Sequence, residues 1–175
     1  MASGKSAVAA RAAMLLGWRH IDLDSEIVRR ARRPIAEIFR DQGEGAFRAL
    51  EREVTGEFLR ENHVVLSPGG GWVTQAGILD DLPAGTLTVW LTVEPETVLR
   101  RVRADLHGPE RPLLASSEPE ARVRALLAER EPLYARARHA ISTDERTLDE
   151  LAAEVVALVR PPLNVSDEAN PEIDG

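Results

Sequence analysis

Met1-Ala2-Ser3-Gly4-Lys5-Ser6 is the stretch on which the fold turns. It reads as the back half of a phosphate-binding loop, whose full pattern is Gly, four free positions, then Gly-Lys-Ser/Thr. Backbone N–H groups of such a loop cradle phosphate, the Lys reaches the terminal phosphates and the hydroxyl holds Mg²⁺. Gly4, Lys5 and Ser6 supply the second half. The opening Gly would fall two positions before Met1, after an apolar strand that launches the loop. The functional chain is therefore expected to be longer than the given one, with its first strand missing here.

Outward from the loop, Ala7 to Leu16 is rich in helix formers and stops at Gly17, a natural residue to follow a helix. A helix starting at Lys5-Ser6 turns its positive end towards a bound anion. In Arg19-His20-Ile21-Asp22-Leu23-Asp24 the apolar and acidic residues alternate, which in an extended chain puts Asp22 and Asp24 on one face. A competing reading makes one Asp the cap of a helix from about Ser25.

Glu26 to Arg32 and Pro34 to Phe39 read as helices, and Gly43-Glu44-Gly45 sets them off from a longer one over residues 46–61. Residues 63–67 form a short apolar strand, followed by Pro68 and by Gly69-Gly70-Gly71, which permit close backbone approach to a ligand. Thr74 is expected to cap a helix reaching about Leu82. Residues 86–93 are the strongest strand, and Pro95 opens a helix. Residues 107–118 hold Gly108, Pro109, Arg111 and Pro112 and read as a mobile excursion; residues 118–136 return to helix. A short strand over 139–143 and a helix over 148–160 complete the domain. Residues 161–175 are acidic, proline-bearing and aperiodic, and read as a disordered tail.

Strands alternating with helices long enough to cross over indicate an α/β fold: a three-layer parallel sheet with helices on both faces. At 175 residues the chain makes one domain, over residues 1–160. The net charge is −7, and the Arg residues are interleaved with Glu and Asp instead of massed on a stripe, which speaks against nucleic acid. No apolar run approaches the roughly 20 residues that span a bilayer, so no membrane partner is expected. The absence of Cys excludes a disulfide scaffold and fits a reducing, cytoplasmic setting.

Taken in order, Gly-Lys-Ser, Ile-Asp-Leu-Asp, Ile-Ala-Glu-Ile-Phe with Gly43-Glu44, Phe47-Arg48 with Leu50-Glu51, Gly-Gly-Gly, Arg111-Pro112-Leu113-Leu114, and Arg130 before Pro132-Leu133-Tyr134 resemble the shikimate kinases. The resemblance covers roughly residues 1–160. It implies a fold of the P-loop kinase type and transfer of the ATP γ-phosphate to the 3-hydroxyl of shikimate, on the route to chorismate and aromatic amino acids. It also implies ATP and Mg²⁺ as cofactors, shikimate as small-molecule partner, and a monomer. Carried over residue by residue, Gly4, Lys5, Ser6 and Ala7 form the ATP loop, and Ser6 and Asp22 attend the metal. Asp24 binds a ring hydroxyl and accepts its proton. Arg48 and Arg130 match the positions that hold the substrate carboxylate, through a guanidinium fork suited to that anion. Gly69, Gly70 and Gly71 line the substrate within a site served by helices over residues 24–62. Arg111 closes over the phosphates from a lid over residues 107–118, acting with Lys5 and Asp24 in catalysis.

Two further features depart from the resemblance. Trp72 stands where a small residue is usual, and either reshapes the substrate pocket or packs beneath it. Ala7 stands where Thr is common, with little consequence because Ser6 carries the metal-facing hydroxyl. Two other readings compete. One is a sister kinase acting on a small hydroxylated acid such as gluconate; the other is a non-catalytic ligand-binding homologue.

Overall fold

The computed structural model describes residues 3–104 and 119–160. The 107–118 excursion and the 161–175 tail lie outside them.

Helix α1 (Lys5–Leu16) starts directly on the phosphate-loop signature. Gly4 precedes it at φ 81°, a left-handed conformation that suits a residue without Cβ. Gly17 ends it in the same region, donating its N–H back to the last turn. Strand β1 (Arg19–Asp22) follows at once, then α2 (Leu23–Ala31) and α3 (Ile35–Phe58). Gly43 breaks the helical path of α3 at φ 80°, ψ 173°, at the expected Gly-Glu-Gly separator. Strand β2 (Val64–Ser67) returns parallel to β1, with Asp22 opposite Ser67.

A 3₁₀ turn at Trp72–Thr74 is followed by turns, not by the helix from Thr74 to Leu82 that the sequence suggests. The hydroxyl of Thr74 donates back to the Gly71 carbonyl, Gln75 is extended at ψ 126°, and Gly77 takes φ 75°. These local bonds and the left-handed glycine stop propagation of the helix.

The second half repeats the crossover. Strand β3 (Val89–Thr92), α4 (Pro95–Ala104), α5 (Pro119–Tyr134) and β4 (His139–Ser142) lead to α6 (Leu148–Val159). Thr147 and Glu150 form a capping box at the start of α6. Among the described residues the strands form two parallel pairs, β1–β2 and β3–β4. Parallel pairing with helical crossovers is what the alternation of elements implied.

Three apolar clusters hold these layers. Leu23, Ile27, Ile38, Phe47, Val54 and Phe58 join α2 to α3, with Ile21 and Leu66 packed against them from the first strand pair. Val98, Leu99 and Val123 join α4 to α5. Val8, Ile141 and Leu151 join α1, β4 and α6, with Val89 and Leu91 alongside. Each fully buried aliphatic side chain contributes about 1.5–3 kcal/mol. Through Val8 and its contacts with β1 and β2, α1 lies against both strand pairs. No helix among the described residues is long and apolar enough to cross a membrane.

Candidate active site

Asp22 is the last residue of β1, and its side chain caps α2 by accepting from the Ser25 N–H at 3.0 Å. Asp24 is consequently in the first turn of α2 and not on the strand. The expected extended pair is corrected: one carboxylate ends the strand and the other opens the helix, because the Asp22 cap diverts the backbone.

Around Asp22 a hydroxyl network assembles. Ser6 Oγ donates to Asp22 Oδ2 at 2.6 Å, Ser67 Oγ donates to the same oxygen at 3.2 Å, and His20 Nε2 lies 2.9 Å from Ser67 Oγ. Burial pushes the Asp22 carboxyl up, but hydrogen bonds from Ser6 and Ser25 and the nearby Lys5 charge more than offset it. Its pKa lies below the ordinary carboxylate value, so Asp22 is anionic beside the Ser6 hydroxyl. Lys5 Nζ is 3.5 Å from Ser6 Oγ. Helix α1 has no acidic residue in its own first turn and no side-chain cap, so its positive end is open to a bound anion, while the Lys5 charge also acts on Asp22 and Asp24.

Asp24 behaves oppositely. Burial raises its pKa and the Asp22 charge adds to the rise, while Lys5 and Arg48 pull it down; the net shift is upward. Two carboxylates two residues apart are thus driven apart in basicity, a pattern that separates an electrostatic role from a proton-accepting one.

Each of the three consecutive glycines abuts a different one of the remaining substrate-side residues. A Cβ on Gly69 would fall 2.9 Å from Asp24 Oδ1. One on Gly70 would lie 3.4 Å from Tyr134 Oη and 3.5 Å from Arg130 Nη1. One on Gly71 would overlap the Arg48 guanidinium. Asp24 from α2, Arg48 from α3 and Arg130 from α5 therefore converge on one backbone segment after β2. Gly71→Ala is expected to displace the Arg48 guanidinium and weaken binding of a carboxylate ligand about tenfold, one lost charge-assisted hydrogen bond, with the fold retained, which titration calorimetry and circular dichroism measure together.

Arg48 is held by two carboxylates of unequal burial. Its Nη1 donates to Glu51 Oε2 at 2.7 Å, and its Nη2 to Glu44 Oε1 at 3.0 Å. Glu51 is fully buried, whereas the Glu44 side chain is 64% exposed. The Glu44 contact is the one an incoming carboxylate can displace, while Glu51 anchors the guanidinium from below. Glu51 Oε2 also accepts from Gln75 Nε2 at 2.9 Å, its Oε1 is buried without a partner, and burial raises its pKa. Arg130 likewise keeps a buried Nε without a partner, so its guanidinium is not spent on a protein carboxylate within the described residues.

Trp72 packs against the α2–α3 core and donates Nε1 to Thr55 Oγ1 at 3.0 Å. Its ring is thus committed to the α2–α3 core. Arg111 lies outside the described residues. Sequence reasoning gave no role to Glu51, Ser67, His20 or Gln75. The placement of Glu51 three residues after Arg48 on a helix was a usable signal for the first. The Ser67 and His20 contacts depend on strand register.

A shikimate kinase family profile matches residues 1–160. The chain is 39% identical over 158 residues to a shikimate kinase of Symbiobacterium thermophilum, covering 89% of this chain and 90% of that protein. It is 45% identical over 135 residues to one of Mycobacterium avium, covering 77% and 74%. Among solved structures, the shikimate kinase from Acinetobacter baumannii in complex with shikimate superposes with a TM-score of 0.81 at 35% identity, covering 91% of this chain and 88% of that one. On the profile, the identities and the superposition, the chain belongs to the shikimate kinase family.

Proposed function

We propose that this chain transfers the γ-phosphoryl group of ATP to the 3-hydroxyl of shikimate, a step towards chorismate and the aromatic amino acids. The observation that carries the reading is the convergence of Asp24, Arg48 and Arg130 on Gly69, Gly70 and Gly71. A carboxylate of raised basicity, two guanidinium groups and a bare backbone suit a ring that carries hydroxyls at one end and a carboxylate at the other.

In this reading Arg48 and Arg130 hold the substrate carboxylate. The backbone at Gly70 and Gly71 lies flat against the ring, and Asp24 accepts the proton that leaves the 3-hydroxyl. Phosphoryl transfer is mainly positioning and charge stabilisation, so Gly4, Lys5, Ser6 and Ala7 align the terminal phosphate and Lys5 offsets its developing charge. Arg111, outside the described residues, is assigned to the phosphates on the family resemblance, where its charge would offset theirs. Ser6 and Asp22 would hold Mg²⁺. Their adjacent hydroxyl and ionised carboxylate are hard oxygen donors, and no cluster of three acidic or His groups lies among the described residues. That sparse set suits Mg²⁺, which fills its sphere with water and phosphate oxygens. When bound, the ion draws negative charge from the phosphates. We place the enzyme in the cytoplasm and read it as a monomer.

Coupled ADP release tests the reading, run with shikimate and with gluconate. ADP release that requires shikimate is the expected result. Release with gluconate alone would assign the sister kinase, and release with neither, from folded protein, would leave a non-catalytic binding protein.

A further inference from the structure

Tyr134 stands on α5 four residues after Arg130, so both side chains leave the helix on one face. Its hydroxyl donates to the Gly70 carbonyl at 2.6 Å, across 64 residues of sequence. Its ring stacks on Trp90 of β3, with centroids 5.9 Å apart and planes at 22°. The ring is thus fixed from the sheet side with its hydroxyl directed at the glycine segment.

Three successive glycines have no side chains of their own to hold them, and each has wide conformational freedom. All three carbonyls are nevertheless bonded. Gly69 accepts from the Trp72 N–H at 3.0 Å, and Gly71 from the Thr74 N–H at 3.1 Å and the Thr74 hydroxyl at 2.7 Å. These two are local turn bonds. Gly70 alone of the three is anchored by a side chain from a distant element. The N–H groups of Gly70 and Gly71, by contrast, bond to nothing among the described residues. The Gly70 carbonyl and the Gly71 N–H share one planar trans peptide, so fixing the first fixes the direction of the second.

We infer that Tyr134 is a positioning residue for shikimate binding: its hydroxyl, braced by the Trp90 stack, sets the Gly70–Gly71 peptide so that the free N–H beside Arg48 is presented to the substrate. The inference rests on the shikimate reading of the site. Tyr134 does not touch the reacting atoms, and its effect falls on acceptor binding, with ATP use and turnover left alone.

Tyr134→Phe keeps the ring and its stack and removes only the donor. Titration calorimetry with shikimate is expected to show binding about 3- to 10-fold weaker, the range of one lost neutral hydrogen bond. KM for shikimate should rise in parallel, with kcat and KM for ATP within twofold and the melting temperature nearly unchanged. Unchanged shikimate affinity would overturn the inference alone. So would a lowered melting temperature with equal losses for both substrates, because that is the signature of a merely structural tyrosine. Absence of shikimate binding by the unsubstituted, folded chain would overturn the functional reading and this inference with it.

Discussion

Asp24→Asn is expected to lower kcat by about 10²- to 10⁴-fold, the range of a positioned general base, while shikimate binding falls much less. The substitution preserves shape and removes the proton acceptor, so its effect belongs to the chemical step. The pH dependence carries the same information with its sign fixed. Asp24 acts only when ionised, and burial, reinforced by Asp22, raises its pKa above the ordinary carboxylate value. Activity should therefore be full well above that raised value and fall as pH drops through it. The acid limb of kcat/KM would then lie at higher pH than an exposed Asp would give. Stability runs the other way for this group. The folded state binds its proton more tightly than the unfolded chain does, so the contribution of Asp24 to stability increases as pH falls through the raised pKa. An acid limb at the ordinary carboxylate value, or Asp24→Asn retaining most of kcat, would remove Asp24 from the proton-accepting role.

The second large effect is expected at Arg48. Truncation to Ala is a poor test, because it would leave the fully buried Glu51 carboxylate unpaired, at a cost of about 3–5 kcal/mol in stability. Arg48→Lys keeps a charge for Glu51 and loses the planar fork that grips a carboxylate through two parallel bonds. Losing one partner of a hydrogen-bonded charge pair at a binding site costs about 2–5 kcal/mol. KM for shikimate should accordingly rise on the order of 10²-fold, with KM for ATP unaffected. A KM that stays within threefold would show that Glu44 and Glu51, and not the substrate, are the functional partners of Arg48.

Much of this is legible in the residues themselves. Strands β2 and β3 are readable as short apolar runs bounded by breakers and β1 by its alternation, and the helices because their apolar positions recur at helical spacing: Leu151, Val155 and Leu158 on α6 are an example. The site was legible where chemistry is written in residue type: Gly4-Lys5-Ser6, the two Asp, Arg48, the glycine run and Arg130. What escaped was set by competition between local and tertiary bonds. Of the two readings of Ile21, Asp22, Leu23 and Asp24, the extended pair gives way to the Asp cap, because the bond Asp22 makes to Ser25 starts α2 at Leu23. Thr74 has the chemistry of a helix cap, yet its hydroxyl turns back to Gly71 and Gln75 is drawn to Glu51. The Gln75 bond to Glu51 and the Tyr134 brace lie further still from sequence. Their ends are 24 and 64 residues apart, and only the packing of α3 and α5 around the turn after β2 brings them together.

The most direct test is a calorimetric titration of shikimate into the folded chain, because every residue proposed to hold the ring lies among the described residues. The account predicts saturable one-to-one binding that Arg48→Lys and Gly71→Ala weaken strongly and gluconate does not reproduce. A folded chain that binds gluconate in preference, or takes up shikimate with no dependence on Arg48, would contradict it.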